Sequence, residues 1–188
     1  YGYQGNTVLH EATYHNAKLC VDYILKNKVD LTITNKDGNN PLHVSCLKGN
    51  AEFANKLINL GADLSEKNNK GDTPLHCGIR SANLDIVVLL INKGSSIEDI
   101  NNLGETPLHV ALESTKKNIK IVIYLINTGS NIYTKNTREE TILKSLNRQE
   151  KTAINEEVRT YIQKIAFEKH ENNNELYIPF LNNNPEFR

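Results

Sequence analysis

The sequence predicts an all-α chain that folds as a helical solenoid, and three observations predict it. Leu9-His10, Leu42-His43, Leu75-His76 and Leu108-His109 follow Gly5, Gly38, Gly71 and Gly104 by four and five residues, so one pattern returns at an interval of 33 three times over. A second column, Lys28, Gly61, Gly94 and Gly129, runs at intervals of 33, 33 and 35. Between them lies a double apolar step: Ile24-Leu25, Leu57-Ile58, Leu90-Ile91 and Leu125-Ile126. Each unit reads as turn, short helix, turn, longer helix, extended loop. Helices this short cannot bury an apolar face alone, so the units must stack.

The first unit (about 2–34) departs from the pattern at Val8, where others carry Pro, and at Lys28, where they carry Gly. A looser helix end is expected there. In the second unit (35–67), Asn40 stands where the others have Thr. Its second helix shows Phe53, Ala54, Leu57 and Ile58 at helical spacing and ends at Gly61. In the third (68–100), Gly71 permits the turn and Pro74 opens the helix, where its missing N–H is harmless. Ile86, Val87, Leu90 and Ile91 form its second stripe. The fourth (101–135) has two extra residues near Ser114 to Asn118, expected to bulge an inter-helix turn outwards.

A degenerate fifth unit (136–148) starts in register, with Glu139 in the Gly position and Thr141-Ile142-Leu143-Lys144 for Thr-Pro-Leu-His, as a terminal cap would. The array thus spans 1–148. Over 149–170, Ile154, Val158, Tyr161, Ile162 and Ile165 recur at helical spacing and predict a capping helix. Residues 171–188 are an Asn-rich tail around Leu176-Tyr177-Ile178-Pro179-Phe180-Leu181. That apolar cluster is either a strap folded back on the solenoid or a docking peptide.

Gly71-Asp72-Thr73-Pro74-Leu75-His76, Gly104-Glu105-Thr106-Pro107-Leu108-His109 and Leu57-Ile58-Asn59-Leu60-Gly61-Ala62-Asp63 resemble the two signatures of the ankyrin repeat. The resemblance covers residues 2 to about 148. It implies stacked helix pairs with β-hairpin finger loops at right angles, forming a concave binding surface. It implies a structural role for His10, His43, His76 and His109, which bond the turn region and tie units together. By register with the family, the surface positions left free are the finger tips and one side of each first helix. The tips are Tyr3, Gln4 and Asn6; Lys36, Asp37 and Asn39; Asn69, Lys70 and Asp72; Asn102, Leu103 and Glu105. The helix positions are Tyr14, Leu47, Lys48, Arg80, Ser81 and Glu113.

Aromatic and Arg anchors dominate interface energies, which singles out Tyr3, Tyr14 and Arg80, with Leu47 and Leu103. The groove changes sign along its length. Lys36, Lys48, Lys70 and Arg80 make its middle basic, interrupted by Asp37 and Asp72, and Glu105 and Glu113 make its far end acidic. This pattern predicts a protein partner whose acidic segment faces units two and three.

Composition narrows the function further. The 188 residues carry 22 basic and 22 acidic side chains, so the basic surplus of a nucleic-acid binder or a polybasic membrane surface is absent. No run approaches the roughly 18 apolar residues of a spanning helix, and the N-terminus lacks a signal layout. Cys20, Cys46 and Cys77 form no C-x-x-C pair and are expected to be three buried, reduced thiols in an intracellular protein, of cytoplasm or nucleus. The His column is no metal ladder. One turn of solenoid separates its members by roughly 10 Å, whereas zinc holds its ligands at about 2 Å. No phosphate loop, recurring carboxylate pair or Cys–His–acid set appears, so no catalytic residue, cofactor or metal is expected.

Asn occurs 27 times and Met not at all. The first fits an A/T-rich genome and brings in a pathogen or viral protein acting in a host cell. The second points to a piece of a longer polypeptide. The leading expectation is a monomeric, non-enzymatic module that binds a protein through its groove and fingers. The alternatives are the targeting segment of a larger enzyme (ubiquitin ligase subunit, kinase or acyltransferase) and a purely structural or oligomerisation element.

Overall fold

A computed structural model describes residues 5–27, 29–113, 119–142, 144 and 153–171. Within them run α1 (Val8–Tyr14), α2 (Lys18–Leu25), α3 (Pro41–Leu47), α4 (Ala51–Asn59), α5 (Pro74–Arg80), α6 (Leu84–Asn92), α7 (Pro107–Glu113), α8 (Ile119–Thr128) and α9 (Ala153–Glu171). The first helix of each unit packs on the first helix of the next, from α1 through α3 and α5 to α7. Second helices α4, α6 and α8 form the other layer, and α9 lies against α8. The result is an all-α solenoid of helix pairs.

Local chemistry sets each boundary. Thr7, Asn40 and Thr73 take extended backbone ahead of α1, α3 and α5, and Pro opens α3 and α5. The Asn50 Oδ1 accepts the Phe53 N–H at 3.0 Å and caps α4. Beyond α4, α6 and α8 the chain turns left-handed at Gly61, Gly94 and Gly129. The first unit lacks both devices: Ala17 gives α2 no side-chain cap, and α2 stops after eight residues.

The core runs between the layers. Leu42, Phe53, Leu57, Leu75, Ile86, Leu90, Leu108, Ile121 and Leu125 are buried along it. Each such side chain contributes about 1.5–3 kcal/mol of burial. Ile132 of the fourth unit and Ile142 of the fifth are buried too, and Val158 and Ile162 of α9 close the far end. The Tyr161 hydroxyl donates to Asn127 Oδ1 at 2.7 Å beside them.

Three expectations need correcting or placing. The fingers are tight turns, and no described residue is in a strand. Each described finger is closed by two backbone bonds, such as Asn68 N–H to Asp72 O at 3.1 Å and Gly71 N–H to Asn68 O at 2.8 Å, and a further bond goes to the neighbouring finger, Asn69 N–H to Asp37 O at 3.1 Å. Cys46 and Cys77 are buried, and burial pushes both thiols well above the usual range, but Cys20 is exposed and is not core. Its equivalents Phe53, Ile86 and Ile121 are buried, and each of their units has another unit ahead of it, as the first unit does not among the described residues. Tyr3, Gln4, Lys28, the bulge expected over 114–118 and the tail beyond 171 lie outside the described residues.

Candidate protein-binding surface

The groove floor is built from the finger bases upward. The first unit has Gly2 ahead of its finger, and from the second unit to the fifth an Asn stands there: Asn35, Asn68, Asn101 and Asn136. Its Oδ1 accepts two backbone N–H groups of its own finger; Asn68 takes those of Lys70 at 2.9 Å and Asp72 at 3.0 Å. Its Nδ2 reaches the unit before it, with Asn35 on Asn6, Asn68 on Asn39 and Asn101 on Asp72, at 2.8–3.0 Å. This column fixes both the shape and the spacing of the fingers. Its interval of 33, 33 and 35 is the signal that the motif reading passed over.

Each repeat histidine works beside it. His10 Nε2 lies 2.8 Å from Asn39 O, and His76 Nε2 lies 3.1 Å from Glu105 O, in both cases a carbonyl of the following unit. His43 Nε2 lies 3.1 Å from both Glu66 O and Asp72 O. A nitrogen facing carbonyls carries the proton, which leaves Nδ1 as acceptor. The Nδ1 atoms take the backbone N–H and the hydroxyl of Thr7, Thr73 and Thr106. Burial lowers the pKa of all four rings. Among the described residues no group of His, Cys, Asp or Glu could hold a metal ion.

The expected contact positions divide under this geometry. Lys36, Asp37, Asn69, Lys70, Asn102 and Leu103 stand exposed at the tips. Asn69 and Asn102 also zip fingers together, donating to Lys36 O at 2.8 Å and to Asn69 O at 3.0 Å. Asn39 is 7% exposed and is not a tip, and neither are Asp72 and Glu105, at 2% and 3% exposed. The two acids turn inward because the Asn101 amide binds both, at 3.0 and 2.9 Å. Arg80 is held over Asp72 by contacts of 3.1 and 3.3 Å, so its charge is offset and the basic stretch reduces to Lys36, Lys48 and Lys70. Ser81 is spent on its helix end, its hydroxyl donating to Gly78 O at 2.6 Å. Glu113 is half-buried at the end of α7.

On the first helices, Tyr14 is 51% exposed and Leu47 is 37% exposed. Lys48 Nζ sits 3.4 Å from the centre of the Tyr14 ring, and the His15 ring meets that of Tyr14 edge-on. Such a stacked cation holds the phenol in place and keeps its outer face open. Next to this pair an open polar depression of about 540 Å³ is lined by Asn16, Asn50, Glu52, Asn83 and Asp85, among others. A second hollow of about 440 Å³ lies between Leu25, Val29, Leu31 and Leu60, and none of the expected contact residues lines it.

Comparison with known families agrees along most of this length. A family model described as ankyrin repeats (3 copies) matches residues 57–136, one described as ankyrin repeats (many copies) matches 24–76, and one for the single ankyrin repeat matches 4–36. No curated protein matches the chain. Among the described residues no helix is long and apolar enough to cross a membrane. The three family matches overlap and together cover residues 4–136, and the chain belongs to the ankyrin-repeat family.

Proposed function

We propose that the chain binds a protein partner along the concave side, between the finger tips and the exposed edge of the first helices. Ankyrin repeats are in general protein–protein interaction modules and typically non-catalytic. The observation that carries the reading here is the exposed Tyr14–Lys48 stack beside Leu47. Aromatic and apolar groups held rigidly at a surface bind at little entropic cost. The flanking charges Lys36 and Lys70, which pair with no acid among the described residues, favour a partner segment that is acidic around an apolar anchor.

The test is affinity capture followed by calorimetry and stopped-flow binding kinetics on the captured partner. Tyr14→Ala with Leu47→Ala should weaken binding by about tenfold or more. Lys36→Glu with Lys70→Glu should slow association at low salt and leave dissociation nearly unchanged. Arg80→Glu is a poor reporter, because it strips Asp72 of its partner. Unaltered affinity in the Tyr14/Leu47 pair would remove the concave side from consideration.

A further inference from the structure

A second surface stands out at the leading end of the stack. Val8 is 73% exposed, Tyr23 is 72% exposed and Cys20 is exposed, all on α1 and α2. Their equivalents are covered in every later unit. Pro41, Pro74 and Pro107 are buried at the Val8 position, and Phe53, Ile86 and Ile121 at the Cys20 position. Lys56, Leu89 and Tyr124 at the Tyr23 position are half-buried. The first unit has the second unit behind it as the others have theirs, so positions that differ in this way face the unit ahead. Lys56 shows the direction: its Nζ reaches forward to Asp22 of the first unit, at 2.6 Å.

We propose that this leading face is a docking surface for one more helix pair of the same repeat, joined ahead of the first unit. The face continues an interface the chain already builds three times, with an apolar side chain at all three positions. A terminal cap would carry polar groups there. Glu11 and Lys18 are the polar exceptions, standing where later units have Val44 and Ala51. Both already hold partners, the Asn6 amide at 2.8 Å and the Glu52 carboxylate at 2.8 Å. A second copy is a poor occupant. The matching surface is the trailing side of a unit, and in this chain α9 packs on the last of these, with Val158 and Ile162 buried. A helix pair with a free trailing side fits.

The experiment joins a copy of residues 35–67 ahead of residue 2 of the full chain and follows thiol labelling by Ellman's reagent. Cys46 and Cys77 are buried, and Cys46 of the added copy is replaced by Ala, so Cys20 reports alone on the folded protein. The added unit should gain helical ellipticity and slow Cys20 labelling by about tenfold or more, since the thiol then reacts only through local opening. It should also raise the melting temperature by about 5 °C. Tyr23→Glu in the extended chain should restore fast labelling. An added unit that stays unfolded, or that folds and leaves Cys20 labelling unchanged, overturns the proposal. So does concentration-dependent protection of Cys20 in the chain without the extension, together with a dimeric mass, which assigns the face to a second copy.

Discussion

One hydrogen atom separates position 40 from its equivalents. At the equivalent positions Thr7, Thr73 and Thr106 each offer a hydroxyl proton to the His Nδ1. Asn40 caps its helix, its Oδ1 taking the His43 N–H at 3.0 Å, but the same oxygen lies 2.8 Å from His43 Nδ1 with no proton to give. Two lone pairs then face each other inside the protein. Asn40→Thr should therefore stabilise the chain by about 0.5–1 kcal/mol, seen as a higher urea midpoint. A lower midpoint would mean that His43 holds its proton on Nδ1. The four rings also set a pH response. Their folded pKa values lie below the ordinary 6.5, so the unfolded chain takes up protons first as pH falls. Stability should be level above about pH 7 and decline below about 6.5. Equal urea midpoints at pH 7.5 and 5.0 would contradict this.

At the scale of elements, two glycines of one unit should respond in opposite directions. Gly71 closes a finger at φ +73, and a Cβ there would stand 2.6 Å from the backbone nitrogen of Asn102 in the next finger. Gly71→Ala is strained twice over and should cost about 2 kcal/mol or more. Gly78 lies inside α5, where a Cβ would meet the tip of Leu90 at 3.1 Å and touch Ile86 at 3.5 Å, side chains and no backbone, and the equivalent positions hold Ala12, Ser45 and Ala111. Gly78→Ala should add about 0.5 kcal/mol through helix propensity. Thermal melts of the two variants should move apart, and a shift in the same direction would sink the argument. The helices and their ends were readable because Pro, Gly and the apolar steps act locally. The Asn column before each finger was hidden by the composition: with 27 Asn in the chain, a codon bias masked a structural choice. The finger positions Asp72 and Glu105 were misplaced for a related reason. Whether a carboxylate points out or in was decided by Asn101, 29 and four residues away.

Across the whole molecule, what the sequence could not disclose was the effect of neighbours. Cys20 and Phe53 occupy one column, and only the stack makes one exposed and the other buried. The same asymmetry orders the stability of the array. In a solenoid each unit is held by its own helices and by its two flanking interfaces, so losses at one end are not shared evenly. Within α2 only Val21 is buried, whereas α4 buries Phe53, Ala54 and Leu57, and α6 buries Ile86, Val87 and Leu90. The first unit also lacks a side-chain cap on α2, while α9 covers the opposite end. Opening should therefore begin at α1 and α2 and spread inward. Amide exchange in α2 should proceed through openings about 2 kcal/mol easier than those of α4 and α6. Native-state hydrogen exchange at low denaturant resolves this unit by unit. Uniform protection from α2 to α6 would show one all-or-none transition and no fraying end; a gradient would place the least stable helices next to the Tyr14–Lys48 stack, where a bound partner bridging units one and two would stabilise them most.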